Sequence, residues 1–357
     1  MEFDTTVNQL PTLTWNWLKI NRAPFKGSAD IKDNTKPEVS KLPAGVTFTE
    51  ESISSPAEIA TGMGRTMDTI LDQTHAACCV LTAEKGIQVQ KPVVLHFALK
   101  DGSTSFTRQI IRAEEGADIT VIMDYTSPAK AGGFHAVQTK LYAGKNARIH
   151  LIKVQLLGKD YIHLDDTGST CDESALVDVT QIELGAKESY AGVAAALPSF
   201  SSKFKSDTAY LCRGKQTLDM NYVVVHTGKK TDCKMHVKGT IKDTARKTYR
   251  GSIDFRKGCS GSTGNEQEET LLLNPDVVNK SIPLILCDEE DVAGEHGASI
   301  GRLGEDVLFY MNTRGVSKKA AEQMMSRAKI QSVANLIPDE KIIDEIQDYM
   351  EEAFKHD

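Results

Sequence analysis

With 357 residues, a formal net charge of −7 and seven cysteines, the chain is long enough for two or three packed units around a substantial core. Its acidic balance argues against the basic patch or stripe that nucleic-acid binding needs, and no run approaches the ~18 apolar residues of a membrane span. The odd cysteine count and an N-terminus, MEFDTTVNQLPTLTW, without an apolar signal core predict a cytoplasmic protein with reduced thiols.

The first fifty residues carry Trp15 and Trp17 in PTLTWNWLKIN, followed by a polar stretch from Pro24 to Pro43. This pattern predicts a short docking segment and then a mobile linker. Ser55, Pro56 and Glu58 form a helix-start signature of cap, first-turn proline and capping-box carboxylate. Ile59, Met63, Met67, Ile70 and Leu71 fall on one face beyond it, so a single amphipathic helix is expected to run to about Thr74. From Val80 to about Leu286 the character changes to short β-branched and aromatic runs such as ADITVIMDY, ARIHLIKVQLL, SALVDVTQIEL, LDMNYVVVHT and CKMHVKGTIKD. Glycine words punctuate them at Gly116, Gly144, Gly185, Gly214 and Gly228, at no fixed period. A sandwich and a parallel β-helix with uneven coils both produce such a pattern. After Gly304 the chain turns helical again. Ser317 is placed as an N-cap, with Ala321, Met324, Met325 and Ala328 on one face, and Ile342, Ile343, Ile346, Tyr349, Met350 and Ala353 line the last helix. The expected organisation is thus a helical and linker region over 1–79, a β core over 80–300 and a helical domain over 301–357.

Several constellations fail on geometry. Cys233 and His236 sit in one strand-like run, where odd and even positions point to opposite faces and cannot chelate together. Cys78 and Cys79 diverge for the same reason, and no C-x-x-C partner completes a zinc site. Gly258, Gly261 and Gly264 lack the lysine and Ser/Thr of a P-loop and lead into Glu266 and Glu268, which would repel phosphate. No nucleotide site is expected. The G-x-S-x-G and H-E-x-x-H signatures of hydrolases are absent, and the spatial separation of the many carboxylates cannot be read from sequence.

The stretch from Pro283 to Val316 carries the most information. His296 stands among Gly294, Gly297, Gly301 and Gly304, near Glu295, Glu305 and Asp306, and the glycines predict a tight backbone corner presenting one imidazole. Asp291, Val292, His296, Gly297 and Ala298, followed by Phe309, Tyr310, Arg314 and Gly315, resemble the D-V-x-x-x-H-G-A and F-Y-x-x-x-R-G words of the SufB/SufD family of iron–sulfur cluster assembly scaffolds. The two words occur in order and with the family's gap. The resemblance implies a mainly β fold, a parallel right-handed β-helix between N-terminal and C-terminal helical regions, and so separates the two folds that the strand pattern leaves open.

The resemblance also implies a role. SufB carries a cysteine just before an L-L-x-G-type strand and a glutamate after the motif histidine, whereas Glu268 and Gly297 stand there in this chain. It is therefore identified as most like SufD, although Gly294 replaces a cysteine that some SufD proteins have. The implied function is a non-catalytic scaffold that pairs with a SufB-like paralogue, or with itself when isolated, and docks the ABC-type ATPase SufC. The implied cargo is a transient iron–sulfur cluster shared with SufB, with His296 as candidate ligand and Cys287 as the nearest thiol. The SufC contact is expected from Arg314 to Ile337, through Arg314, Gly315, Met324 and Met325. The rival readings are a carbohydrate-active β-helix enzyme and a homodimeric binding module that never holds iron.

Overall fold

The computed structural model describes residues 1–29, 35–51 and 59–355. Its organising feature is a turn that recurs once per coil. Left-handed φ values occur at Gly86, Gly116, Asn146, Ser174, Ser201, Lys230 and Gly261, spaced 27 to 31 residues apart. Each of these amides donates to a carbonyl in the next coil, from Gly86 N to Glu115 O through to Gly261 N to Asp291 O. The stacked bonds hold asparagine, serine and lysine in a region that glycine enters most easily. Glycine therefore marks some coils and not others, and the coil length varies, which is why the glycine words show no period.

Two paired strands, β1 (Glu2–Val7) and β2 (Ala23–Ser28), open the chain, followed by β3 (Glu38–Val39), β4 (Val46–Glu51) and helix α1 (Arg65–Gln73). The coils comprise β5 (Ala77–Ala83), β6 (Val93–Ala98), β7 (Thr104–Ala113), β8 (Asp118–Thr126), β9 (Gly132–Ala143), β10 (Arg148–Leu156), β11 (Asp160–Cys171) and β12 (Leu176–Glu183). They continue through β13 (Glu188–Leu197), β14 (Lys203–Cys212), β15 (Thr217–His226), β16 (Asp232–Ile241), β17 (Arg246–Phe255), β18 (Ser262–Leu272), β19 (Val278–Cys287) and β20 (Val292–Gly301). Odd strands from β5 form one sheet and even strands from β6 the other. Every neighbour along these rows is parallel, from β5 with β7 to β18 with β20. The pairing excludes an antiparallel sandwich and makes a parallel β-solenoid of about eight turns.

Alternation decides what lies inside. In β8, Ile119, Val121, Met123 and Tyr125 join the lumen, while Ile122 faces outward into a second cluster. That outer face of the even sheet is covered by the C-terminal helices α3 (Lys318–Ala334) and α4 (Glu340–Lys355), through Ile330, Val333, Ile342, Ile346 and Met350. The outer face of the odd sheet is covered by the β1–β2 hairpin and α1, where Phe3, Phe25, Met67 and Leu71 meet Phe106, Phe134 and Tyr190. Helix α1 and helices α3 and α4 therefore lie along the outer faces of the two sheets.

Three local expectations are corrected. The helix expected from Ser55 begins at Arg65, and Ser55, Pro56 and Glu58 lie outside the described residues. Gly62 and Gly64 interrupt it: a side chain at Gly62 would stand 2.0 Å from the Val193 amide nitrogen, and Gly64 has φ of +69°. Pro24 to Ser28 belongs to the hairpin strand β2 and not to a linker. On α3 the buried face is Ala321, Ser326, Ile330, Val333 and Ala334, so of the predicted face only Ala321 is covered, and Met324 and Met325 face solvent. Ser317 does cap this helix, its hydroxyl accepting from the Ala320 amide at 3.2 Å, and α4 buries Ile342, Ile346, Met350 and Ala353 of the predicted row, with Ile343 and Tyr349 half-buried.

Candidate functional site

The last coil is the least covered part of the solenoid. β19 and β20 end their sheets, and among the described residues no strand pairs with their outer edges. Within β20 every residue from Ala293 to Gly301 is exposed. His296 lies in the middle of this strand, in register with Glu266 of β18. The corner predicted from the glycines is thus a regular strand, and neither Gly294, Gly297, Gly301 nor Gly304 has left-handed φ. Gly294 instead faces Phe255 and Ile285, where a Cβ would meet ring and methyl carbons at 3.0 and 3.3 Å.

The register gives His296 a specific neighbour. Glu266 belongs to the lumen-facing row, its carboxylate lying over Gly251, where a Cβ would stand 2.0 Å from Oε1. Burial, reinforced by neighbouring Glu268, pushes Glu266 up to about 7. One of its oxygens, Oε2, has no hydrogen-bond partner. Glu268, the next residue of that row, is paired with the Lys247 ammonium and accepts from Ser281, and from Thr270 at 2.9 Å. Lys247 also donates to Asn279 at 3.1 Å and lies 5.5 Å above the Tyr249 ring. Burial pushes the Lys247 amine down, against the attraction of Glu268. The residue that stands where the resemblance puts a SufB cysteine is therefore a lumen carboxylate already held by an amine.

The other predicted residues lie on separate elements. Cys287 ends β19, and its thiol donates to the Glu289 carbonyl at 3.1 Å. It is the one exposed cysteine; the remaining six are buried and free. Cys233 and His236 diverge as strand geometry requires, Cys233 into the lumen and His236 outward to Asp207 at 3.1 Å. Arg314 ends helix α2 (Glu305–Thr313), its guanidinium 5.4 Å from the Tyr310 ring centre, and Gly315 takes φ of +82° where the chain leaves that helix. Phe309 and Tyr310 are exposed, as are Met324 and Met325. Large apolar side chains thus stand on the solvent side of both α2 and α3.

The family model of the SUF system FeS cluster assembly SufBD core domain matches residues 96–329, more than half of the chain. The chain belongs to the SufBD family. Among curated relatives it is 27% identical over 264 residues to an iron–sulfur cluster assembly SufBD family protein of Synechocystis, covering 71% of this chain and 55% of that protein. It is 26% identical over 266 residues to a chloroplastic SufBD family protein of Arabidopsis thaliana, covering 72% and 48%. It is 23% identical over 293 residues to the iron–sulfur cluster assembly protein SufD of Bacillus subtilis, covering 80% and 67%. The chain thus spans about half the length of the first two relatives. The SufBD core runs from within β6 through β20 and α2 to most of α3, and so contains all of the features around His296.

Sequence reading missed the polar lumen. Lys153, Asp165, Glu183, Lys247, Glu266 and Glu268 are almost fully buried, although such residues are almost always at the surface unless paired. A signal existed in the alternation: in ARIHLIKVQLL, Ile149, Leu151, Lys153 and Gln155 share one face. It became legible only once the parallel register fixed which face was inside.

Proposed function

We propose that this chain is a non-catalytic, SufD-type scaffold subunit of a cytoplasmic SUF assembly complex, which pairs with a SufB-type paralogue and docks a SufC-type ATPase. The cargo of the pair is a transient iron–sulfur cluster, with His296 among its ligands and Cys287 as a secondary thiol. The observation that carries this reading is the uncovered last coil, where an edge strand offers backbone groups to a second sheet and holds His296 at the same place. Imidazole suits iron of borderline softness, and Gly297 next to it leaves room for a neighbouring chain. Glu268 and Gly297, where the resemblance gives SufB a cysteine and a glutamate, favour the SufD side of the pair.

The SufC-type subunit binds the exposed surface around Arg314, Gly315, Met324 and Met325. Both methionines are adaptable apolar side chains suited to a partner groove. Since α3 packs through its other face on β12, β14 and β16 and its Lys329 pairs with Glu269 of β18 at 3.0 Å, a pull on α3 produced by ATP-driven dimerisation of two ATPase subunits is transmitted to those strands of the even sheet.

The test is co-expression with SufB-type and SufC-type proteins, followed by size exclusion and anaerobic reconstitution with iron and sulfide. The expected result is a three-component complex that holds a cluster, lost in His296→Ala with the complex intact. Met324→Asp is expected to release the ATPase alone. Undiminished cluster content in His296→Ala at matched protein levels overturns the ligand assignment, and ATPase binding by a chain ending at Gly304 overturns the docking assignment.

A further inference from the structure

We propose that His163, Asp165 and Glu183 bind one first-row divalent cation, such as Zn²⁺ or Fe²⁺, inside the lumen of the solenoid. The three side chains come from β11 and β12, and one donor atom from each lies within 4.8 Å of the others. All three are buried, as is the whole of their surround. This group is remote in sequence from the last coil and independent of the reading given above for His296.

The geometry leaves atoms open where an ion would need them. His163 Nε2 and Asp165 Oδ2 are 3.7 Å apart, too far for a hydrogen bond. It is about the separation of two donors that each sit ~2.1 Å from a shared ion at an angle near ~120°. Neither atom has any other partner. The remaining atoms of the same side chains are engaged and hold the open ones in place. Nδ1 of His163 meets Nδ1 of His135 at 3.0 Å, Oδ1 of Asp165 accepts from the Lys153 ammonium, and Lys153 also donates to Thr167 at 2.8 Å. Glu183 differs in having both oxygens engaged, Oε1 by Gln181 at 2.8 Å and Oε2 by Ser189 at 2.8 Å and Gln155 at 3.3 Å, so it would ligate through a second lone pair of an oxygen that these bonds already orient. Partners of this kind orient metal ligands in the shell behind the donors.

Further groups in the same layer have no partner. The Tyr125 hydroxyl and His135 Nε2 are buried and unpaired, with the Tyr125 ring 4.7 Å from His135 and 5.2 Å from His163. Four orphaned polar atoms in one sealed layer are expensive, because buried polar groups are almost always satisfied. A cation carrying one or two waters satisfies them together: the open His163 nitrogen and Asp165 oxygen ligate beside a Glu183 oxygen, and ion-bound water meets Tyr125 and His135. One imidazole with two carboxylates is a donor set for a first-row ion of borderline hardness, and the absence of a thiolate there separates it from a copper(I) or cluster site.

The experiment expresses the full chain in medium supplemented with zinc, iron or cobalt, washes it with EDTA to strip surface ions, and measures metal by mass spectrometry. About one equivalent per chain is expected to survive the wash for at least one of the three metals. His163→Gln and Glu183→Gln are each expected to lower it more than tenfold, while His296→Ala and Cys287→Ala retain it. X-ray absorption of the retained metal is expected to show nitrogen and oxygen neighbours only. If either lumen variant fails to fold, the wild-type chain alone decides: protein from metal-supplemented medium is expected to melt at higher temperature than protein from chelated medium. The proposal is overturned by less than a tenth of an equivalent in the wild type from all three media, by variants that retain metal as the wild type does, or by identical melting of the two preparations.

Discussion

The two ends of the solenoid are built differently. At the N-terminal end β4 lies antiparallel on β5 and β3 on β6, so the first parallel strands are paired on both sides. The adjoining hairpin is buried, with Phe25 packed 5.4 Å from Tyr190 and 6.0 Å from both Phe3 and Phe134. The segment between its strands is also fastened to distant coils. Buried Arg250 donates to the Ile20 carbonyl at 2.5 Å and to Asp219 at 2.6 Å, and Asp219 accepts from Asn8 at 2.8 Å. At the other end β19 and β20 carry no such cover, and the apolar Ile300 is 40% exposed. An exposed edge strand invites pairing with another chain, so the contrast separates an end finished by the chain itself from one finished by assembly.

Truncation at the two ends gives the largest expected difference. Phe25→Ala removes a fully buried ring from the N-terminal hairpin that covers the odd sheet and is expected to cost about 3–5 kcal/mol in chemical denaturation. Ile300→Ala, on the uncovered strand, should cost less than about 0.5 kcal/mol. Equal losses would mean that the last coil is as well packed in the isolated chain as the N-terminal hairpin.

The second effect concerns the lumen beside His296. Burial, then Glu268, raises Glu266 to about 7 from an ordinary 4.5. The folded state therefore binds this proton more tightly than the unfolded chain does. The resulting stabilisation is complete below pH ~4.5 and is lost as pH rises through ~7. Glu266→Gln, which cannot ionise, should gain roughly 2 kcal/mol relative to wild type between pH 5 and 8. Guanidinium titrations of both proteins at those two pH values measure it, and a difference that stays constant would show that the carboxylate is not desolvated in solution.

The smallest expected effect is the most discriminating for function. His296→Ala should change stability by less than about 0.5 kcal/mol, because exposed substitutions away from caps and networks rarely do more. Calorimetry on the isolated chain checks this. A loss above 2 kcal/mol would make His296 a structural residue and would leave any loss of cluster in the complex unexplained by ligation.

The family words were legible because they are contiguous: His296, Gly297 and Ala298, then Phe309, Tyr310, Arg314 and Gly315, need no structure to be seen together. Their local shape was not legible. Glycines around His296 read as a corner, yet in β20 they leave an open strand, since parallel pairing to β18 holds an extended backbone whatever the glycine content. Met324 and Met325 read as sharing one apolar face with Ala321 and Ala328, but α3 seats on the even sheet through Ile330 and Val333. A helix with apolar residues on more than one side does not specify which face is buried.

By itself, the sequence determined the run of β strands through the middle, the helices that follow it, and the family, but not the strands of the first fifty residues. These depend on composition, short spacing and local words. The tertiary structure alone decided which residues face inward. A strand shows its alternation in sequence, but whether Lys153, Asp165, Glu183, Glu266 and Glu268 lie in solvent or in the lumen depends on pairing with strands some thirty residues away. A shift of register by one residue would have turned every one of them outward. The polar lumen and the setting of His296 beside Glu266 therefore follow from long-range register, which no local pattern encodes.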